Sequence, residues 1–528
     1  MINNDAARPK QKVGVMGVVF MIYAMSCAGA FGIEDMIPLA GPGMTILMLC
    51  VIPFIWAIPV ALISAELGSA LPVEGGAYVW VKRAFGEFWG FQNGFARILS
   101  AYVGVPVYIV LAGDYIGTLM EWSSTETYLA KLVLIALFGY LNYRGIKDVA
   151  AVGTILGFVI IAAFAAVIVI GFTHVQYNPV TPFVPEGQGI LVSMGAAIGI
   201  GLWMYAGYDV MANVAGELKD PQVIPKALMI AVPLILLTYI PTTIAGLASV
   251  GNWEQWGTDG ISYGDVVGLA GYGWSVFFVI VAFLGQISIY NGYVAMSSRN
   301  FLVLAEDNLA PAIFTKTNKN GVPVFGWALM ILCSAIFATF SFGMIVVITV
   351  TTVLFPISIM MLAAIKIRIK EPNLKRPFKV KVGNGGFIVL SSIVPLVALT
   401  ALYLNGLDYF VFGMAILGVG PILYILARLK LGGLTKVDSD MYPMNPKTRL
   451  PQGDFLRMTY FYLGIVVLSI IGFFFLNWYE DPAYYNDFYK SDVAFDWLMN
   501  GMIIITIAYA VIAAVMFVIH KKREQVNE

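Results

Sequence analysis

The feature that most constrains this chain is the length of its apolar runs. Stretches long enough to span a bilayer recur near 13–40, 44–70, 94–121, 128–142, 149–172, 190–215, 227–250, 273–297, 324–341, 344–365, 386–404, 409–427, 457–477 and 496–519. A helix of about 20 apolar residues crosses roughly 30 Å of hydrocarbon. Within the runs apolar and polar residues do not alternate, so the two-residue period of a membrane β-barrel is absent. The pattern predicts an all-α integral membrane protein of about fourteen helices. Charged residues make up 12% of the chain and apolar ones 59%, far from the balance of soluble domains. A soluble enzyme, a disordered chain and a nucleic-acid-binding protein are excluded. The run after the polar residues 1–12 is too long for a signal-peptide core, and it is read as the first membrane helix.

The basic residues orient the helices. With the N-terminus in the cytoplasm, 29 of the 31 lysines and arginines fall on cytoplasmic segments or helix ends, Arg97 and Arg299 among them. Only Lys131 and Lys490 fall outside. Positive charge accumulates inside, so both termini are expected to be cytoplasmic and the span number even. The outer segments carry acids such as Glu121, Glu254, Asp265 and Glu480, which read as solvated loops or as a weakly cation-attracting vestibule.

Two spans are interrupted by small residues at mid-membrane depth. The first reads Ser26-Cys27-Ala28-Gly29-Ala30-Phe31-Gly32-Ile33-Glu34-Asp35, and the sixth reads Trp203-Met204-Tyr205-Ala206-Gly207-Tyr208-Asp209. Glycine weakens a helix and lets a ligand approach the backbone. Unwound backbone at that depth needs polar partners that lipid does not supply. The breaks lie five helices apart, the spacing of two inverted five-helix repeats with a site between them. The expected substrate-binding set is therefore Ser26, Ala28, Gly29, Ala30, Phe31, Gly32, Tyr108, Trp203, Tyr205, Ala206, Gly207, Tyr208, Asp209 and Tyr290.

Asp209 is the sharpest of these, because a carboxylate inside the membrane needs a cavity or a cationic partner. A substrate ammonium or a proton fits, and the nearby aromatic rings offer cation–π contact. Glu34, Asp35, Asp114, Asp209 and Glu217 are the proton-coupling candidates. Cys27, Cys50 and Cys333 lie in separate runs, and His174 and His520 lie far apart. No catalytic set, metal site or cofactor is expected. Oligomeric state is not legible. After Pro72 and the Gly75-Gly76 pair, residues 77–88 should form a short amphipathic helix at the cytoplasmic face.

Several motifs carry a resemblance. The segment AELGSALPVEGGAYVWVKRAFGEFWGF (65–91), the segment SSRNFLVLAEDNLAP (297–311) and NYRGIK (142–147) resemble the amino acid–polyamine–organocation (APC) superfamily. FGIED (31–35), IPFIWAIPVALISAEL (52–67) and Asp209 followed by Ala215-Gly216-Glu217 are similar to polyamine:proton symporters of plants and protozoa. TKTNKNGVPV (315–324) and NLKRPFKV (373–380) resemble bacterial amino acid permeases and exchangers.

The resemblance implies the LeuT-type fold, a 5+5 inverted repeat, and secondary transport by alternating access. It divides the chain into a tail (1–12), a first repeat (13–172), a second repeat (190–366), helices 11 and 12 (386–430), a loop (431–456), extra helices 13 and 14 (457–519) and a tail (520–528). Some relatives carry a helix 5 lysine in place of sodium, whereas residues 150–172 here hold no ionisable group. Carboxylates would then carry any proton.

The expected function is transport of small amines, polyamine or amino acid, across the cell membrane, with protons or exchange driving it. The alternatives are an antiporter of zwitterionic or acidic amino acids and, remotely, a sensor that keeps a carrier fold. The implied partners are a small amine, protons and membrane lipid, without nucleic acid.

Overall fold

The computed structural model describes residues 14–27, 29–72, 75–144, 149–208, 223–257, 260–440 and 442–524. Among these residues all regular structure is helical, apart from isolated β-bridges. The first expected span is two helices, α1 (Val15–Ser26) and α2 (Met36–Ala40), followed by α3 (Pro42–Ala70) and the short α4 (Gly76–Phe85). Next come α5 (Glu87–Leu119), α6 (Ser124–Tyr143), α7 (Val149–Thr173), α8 (Ile190–Met204) and α9 (Val223–Ser249).

The second half holds the short α10 (Tyr263–Gly268), α11 (Tyr272–Ser297), the short α12 (Asn300–Glu306), α13 (Val324–Phe337) and α14 (Phe342–Lys370). It closes with α15 (Asn384–Leu404), α16 (Leu407–Leu431), α17 (Asp454–Tyr479), the short α18 (Pro482–Tyr489) and α19 (Ala494–Ile519). Where the residues are described, each expected span falls on helix apart from the breaks in the first and sixth. Among the described residues ten helices are long and apolar enough to cross a membrane, and α8 and α13 are shorter apolar helices.

Local sequence explains the boundaries. Gly86, at φ 92°, separates α4 from α5, so the expected amphipathic helix stops at Phe85 and the third span begins at Glu87 rather than near 94. Ser123 and Glu126 form a capping box that starts α6. Inside α3, residues Pro53–Ala57 form a π-turn. Pro53 has no N–H to give to the carbonyl four residues back. That carbonyl, on Leu49, accepts the Tyr205 hydroxyl at 2.8 Å instead.

Helices meet closely where one of them presents glycine. A Cβ on Gly104 of α5 would stand 2.6 Å from Thr349 of α14. One on Gly418 of α16 would stand 2.1 Å from the Tyr509 ring of α19, whose hydroxyl donates to the Ala415 carbonyl at 2.9 Å. Helix α19 buries only 11% of its apolar window, so most of that surface is left for lipid.

One end of the bundle, here the near end, carries α4, the C-termini of α3, α14 and α16, and the start of α17. Buried carboxylates meet guanidinium groups there. Glu66 of α3 pairs with Arg368, lies 3.2 Å from Arg376, and accepts the Val380 N–H at 2.8 Å. Glu87 lies 3.2 Å from Arg428. The Tyr424 hydroxyl donates to Asp454 at 2.5 Å, which ties α16 to α17. On α4, Lys82 and Tyr78 both meet Asp307, and Arg83 reaches Glu371 at 2.7 Å. That guanidinium holds the Glu371 carboxyl below the usual carboxylate range.

Candidate functional site

Both expected breaks are places where helix stops. Helix α1 ends at Ser26, and the chain is non-helical through residue 27 and residues 29–35 before α2. Gly29 and Gly32 sit at φ 103° and 91°, a region costly for any residue with a Cβ. Space demands glycine as well. A Cβ on Gly29 would fall 2.1 Å from the Phe164 ring, and one on Gly32 would fall 2.5 Å from the Phe342 ring. Helix α8 ends at Met204, and Tyr205, Ala206, Gly207 (φ 95°) and Tyr208 leave helical geometry. The Tyr239 hydroxyl donates to the freed Met204 carbonyl at 3.0 Å. Ala28, Asp209 and Glu217 lie outside the described residues.

A cavity of about 240 Å³ lies beside the second break. Trp203, Ala206 and Gly207 line it from the α8 side, and Tyr108 from α5. Tyr78 of α4 and Asn300 and Val303 of α12 line its near end. Toward the far end the wall is aromatic. Tyr293 stacks on Tyr108 with ring centres 5.4 Å apart, Tyr108 meets Trp203 at 5.9 Å, and Trp203 meets Phe342 at 5.3 Å.

Beyond that row the far end is sealed. Phe31 packs against Phe164, Phe278 and Tyr115 with ring centres 4.8, 5.6 and 5.6 Å apart, and Phe164 reaches Tyr263 at 5.9 Å. All five rings are buried. Edge-to-face pairs of this kind add to the packing energy of the rings. Glu34 lies beneath them, fully buried, accepting the Gly32 N–H at 2.8 Å and the Tyr115 hydroxyl at 2.9 Å.

The other expected residues divide by position. Gly29, Ala30, Phe31 and Gly32 belong to the sealed region rather than to the cavity wall. Tyr205 is engaged with the Leu49 carbonyl. Tyr208 and Tyr290 are buried and do not line the cavity. Asp35 is half-buried just before α2. Asp114 is held by Lys131 of α6 at 2.6 Å, so a lysine counted by sequence as an outer-loop charge lies in the helical packing.

Among the cavity residues that were not expected, three stand out. Trp56 comes from the π-turn of α3, 1% exposed, with an indole N–H that has no acceptor among the described residues. Single π-turns in α-helices are frequent at functional sites. Its signal in the sequence is the pair of prolines, Pro53 and Pro59, inside one apolar run. Arg97 and Arg299 also line the cavity, although their charge alone reads as an orientation signal. No carboxylate lines the cavity among the described residues.

Comparison with known proteins agrees with this architecture. The sequence profile described as amino acid permease matches residues 14–427. A probable polyamine transporter of Arabidopsis thaliana is 31% identical over 392 residues, covering 72% of this chain and 77% of its own length. The polyamine transporter PUT1 of Oryza sativa subsp. japonica is 30% identical over 432 residues, 80% of each chain. The L-methionine/branched-chain amino acid exporter YjeH of Escherichia coli (strain K12) is 26% identical over 302 residues, 57% of this chain and 71% of its own.

Proposed function

Since this chain belongs to the amino acid permease family, we propose that it is a secondary transporter that carries small amines, polyamine or amino acid, across the cell membrane by alternating access. The observation that carries this reading is the cavity of about 240 Å³ at the α8 break, lined by α4 and α12 at the near end and closed by rings toward the far end. A cavity of this size suits a free amino acid or a short linear amine. Ala206 and Gly207 bring unwound backbone to its wall. Polar backbone at membrane depth is tolerated where it lines a cavity.

The near end is then the cytoplasmic side, both termini lie inside, and the first ten spans form two inverted repeats of five. Glu34, Asp35, Asp114 and the acids at 209 and 217 are the groups available to couple protons, with Asp209 facing the substrate ammonium. The polyamine-transporter relatives support an amine. Arg97 and Arg299 in the wall, together with the exporter relative, favour an amino acid with a carboxylate as the second reading.

The test is uptake into proteoliposomes with an imposed pH gradient, using labelled putrescine, spermidine, methionine and glutamate in parallel. Accumulation of at least one of them, abolished by a protonophore or accelerated by internal substrate, is the expected outcome. Binding without flux would make the chain a sensor. Neither binding nor flux for any of the four would overturn the assignment.

A further inference from the structure

We propose that Glu34 is the latch of the far gate: its ionised carboxylate ties the helix 1 break, α5 and the short lid helix α10 together, and uptake of one proton releases them. The inference rests on the transport reading and assigns that cycle its gate residue.

The geometry is convergent. Glu34 belongs to the non-helical stretch between α1 and α2 and is fully buried. One carboxylate oxygen accepts the Gly32 N–H of its own segment, and the other accepts the Tyr115 hydroxyl of α5. The backbone N–H of Tyr263, the first residue of α10, faces the same carboxylate. Helix α10 is a separate small element, begun by a capping box of Ser262 and Asp265 and held to α9 by a Tyr263–Thr243 hydroxyl contact of 3.0 Å. Three parts of the far end therefore meet at one side chain.

The partners make this acid unlike those of the near end. Glu66 and Glu87 face guanidinium groups. The hydrogen bonds to Glu34 come from neutral donors. The ionisable groups that face it are Asp35 on its own segment, Tyr115 on α5, and Tyr263 on the lid. Asp114, one residue before Tyr115, is held by Lys131. From α7 and α11 the packed groups are the Phe164 and Phe278 rings.

An ionised carboxylate only accepts hydrogen bonds, whereas a protonated one must also donate. The backbone N–H of Glu34 itself is a fourth donor, so the four donors fill the lone-pair sites of the carboxylate, and an added O–H displaces one N–H donor or turns the Tyr115 hydroxyl from donor to acceptor. The proton comes from hydronium on the far side, forms an O–H bond on Glu34 and leaves one water. It returns to water when the latch re-forms. The rings of the seal meet one another by van der Waals contact, and apart from the Tyr115 bond to the latch the hydroxyl contact they make is Tyr263 to Thr243, so loss of the latch lets the rings slide apart.

The test is amide hydrogen exchange across residues 260–271 of the full chain in lipid nanodiscs at pH 8 and pH 5, corrected for intrinsic exchange. Loss of a bond to a charged group should speed local opening by about tenfold. The wild-type protein is expected to show that step between pH 8 and pH 5. Glu34→Gln is expected to exchange fast at both values, with the step gone. Tyr115→Phe keeps the carboxylate and guards against a misfolded Gln variant; it should raise the pH 8 rate and retain the step. Slow exchange in Glu34→Gln at pH 8, or a surviving pH step, would overturn the latch. Flux measured on the same samples separates the two claims. No flux in the wild type defeats transport, whereas flux with an unchanged pH step in Glu34→Gln defeats the latch alone.

Discussion

At the near end of the bundle, carboxylates meet guanidinium groups: Glu66 with Arg368 and Arg376, Glu87 with Arg428, Glu371 with Arg83. At the far end, Phe31, Phe164, Phe278, Tyr115 and Tyr263 interlock, and the acid beneath them bonds to neutral donors. Buried ion pairs are directional, and separating them is costly. Ring contacts are weaker singly and keep much of their energy as they shift. In the proposed cycle this difference would separate scaffold from gate: the near-end pairs would keep segments such as α3 and the loop after α14 together, and the rings would close the surface that parts.

The comparison breaks most readily at Glu66. Glu66→Ala leaves Arg368 and Arg376 buried without their carboxylate and should cost about 3–5 kcal/mol of stability. Denaturant or thermal unfolding in detergent measures it. A loss under about 1 kcal/mol, the scale of a surface pair, would mean that the near end is held by loop packing instead.

Phe31→Ala tests the other end. Removing a buried ring should cost about 3 kcal/mol, whereas Phe31→Leu should cost less than about 1.5 kcal/mol because most of the volume remains. Equal losses for the two variants would show that the seal does not depend on filling that volume.

Trp56 sharpens the comparison within the cavity. Trp56→Phe keeps a ring and removes the unpartnered N–H. Stability should hardly change. If the substrate offers an oxygen to that N–H, KM for the carried amino acid should rise severalfold, corresponding to about 1 kcal/mol, while KM for a polyamine stays put. A rise for both would assign Trp56 to shape alone.

The smallest effect is expected at Arg83 and Glu371, whose side chains are 45% and 31% exposed. The folded-state pKa of Glu371 is depressed, so the pair stabilises above the ordinary carboxylate range and the contribution is lost as pH falls through the folded value. Screening limits it to well under about 1 kcal/mol. Arg83→Gln should flatten that acid limb slightly, its small loss of stability appearing at neutral pH and vanishing at low pH.

Helix positions were legible because apolar length is a direct readout of membrane thickness, and the helix 1 break was legible because Gly29 and Gly32 need both positive φ and space. The near-end helix was legible from Pro72 and Gly75. Depth was not. Arg97 and Arg299 lie toward the near ends of their helices, and hydropathy does not tell a cavity wall from a helix end. The π-turn was marked only by two prolines, and nothing local shows which way Trp56 turns. The pairing of Glu66 with Arg368 links residues 302 positions apart, a distance that no local pattern crosses. Tyr205 reads as a cavity aromatic by its place beside the break. Its hydroxyl goes instead to the carbonyl that Pro53 left free.

The seat of Tyr509 on Gly418 has a consequence for lineage. That glycine is required by a ring on α19, outside the portion of the chain matched to the family. In homologues that stop after the helix equivalent to α16, position 418 has no ring to admit, and alanine, serine or leucine would fit there against lipid. Glycine at this position should be gained and lost along with the C-terminal helix pair, so that one residue in the body of the protein records whether the tail is present.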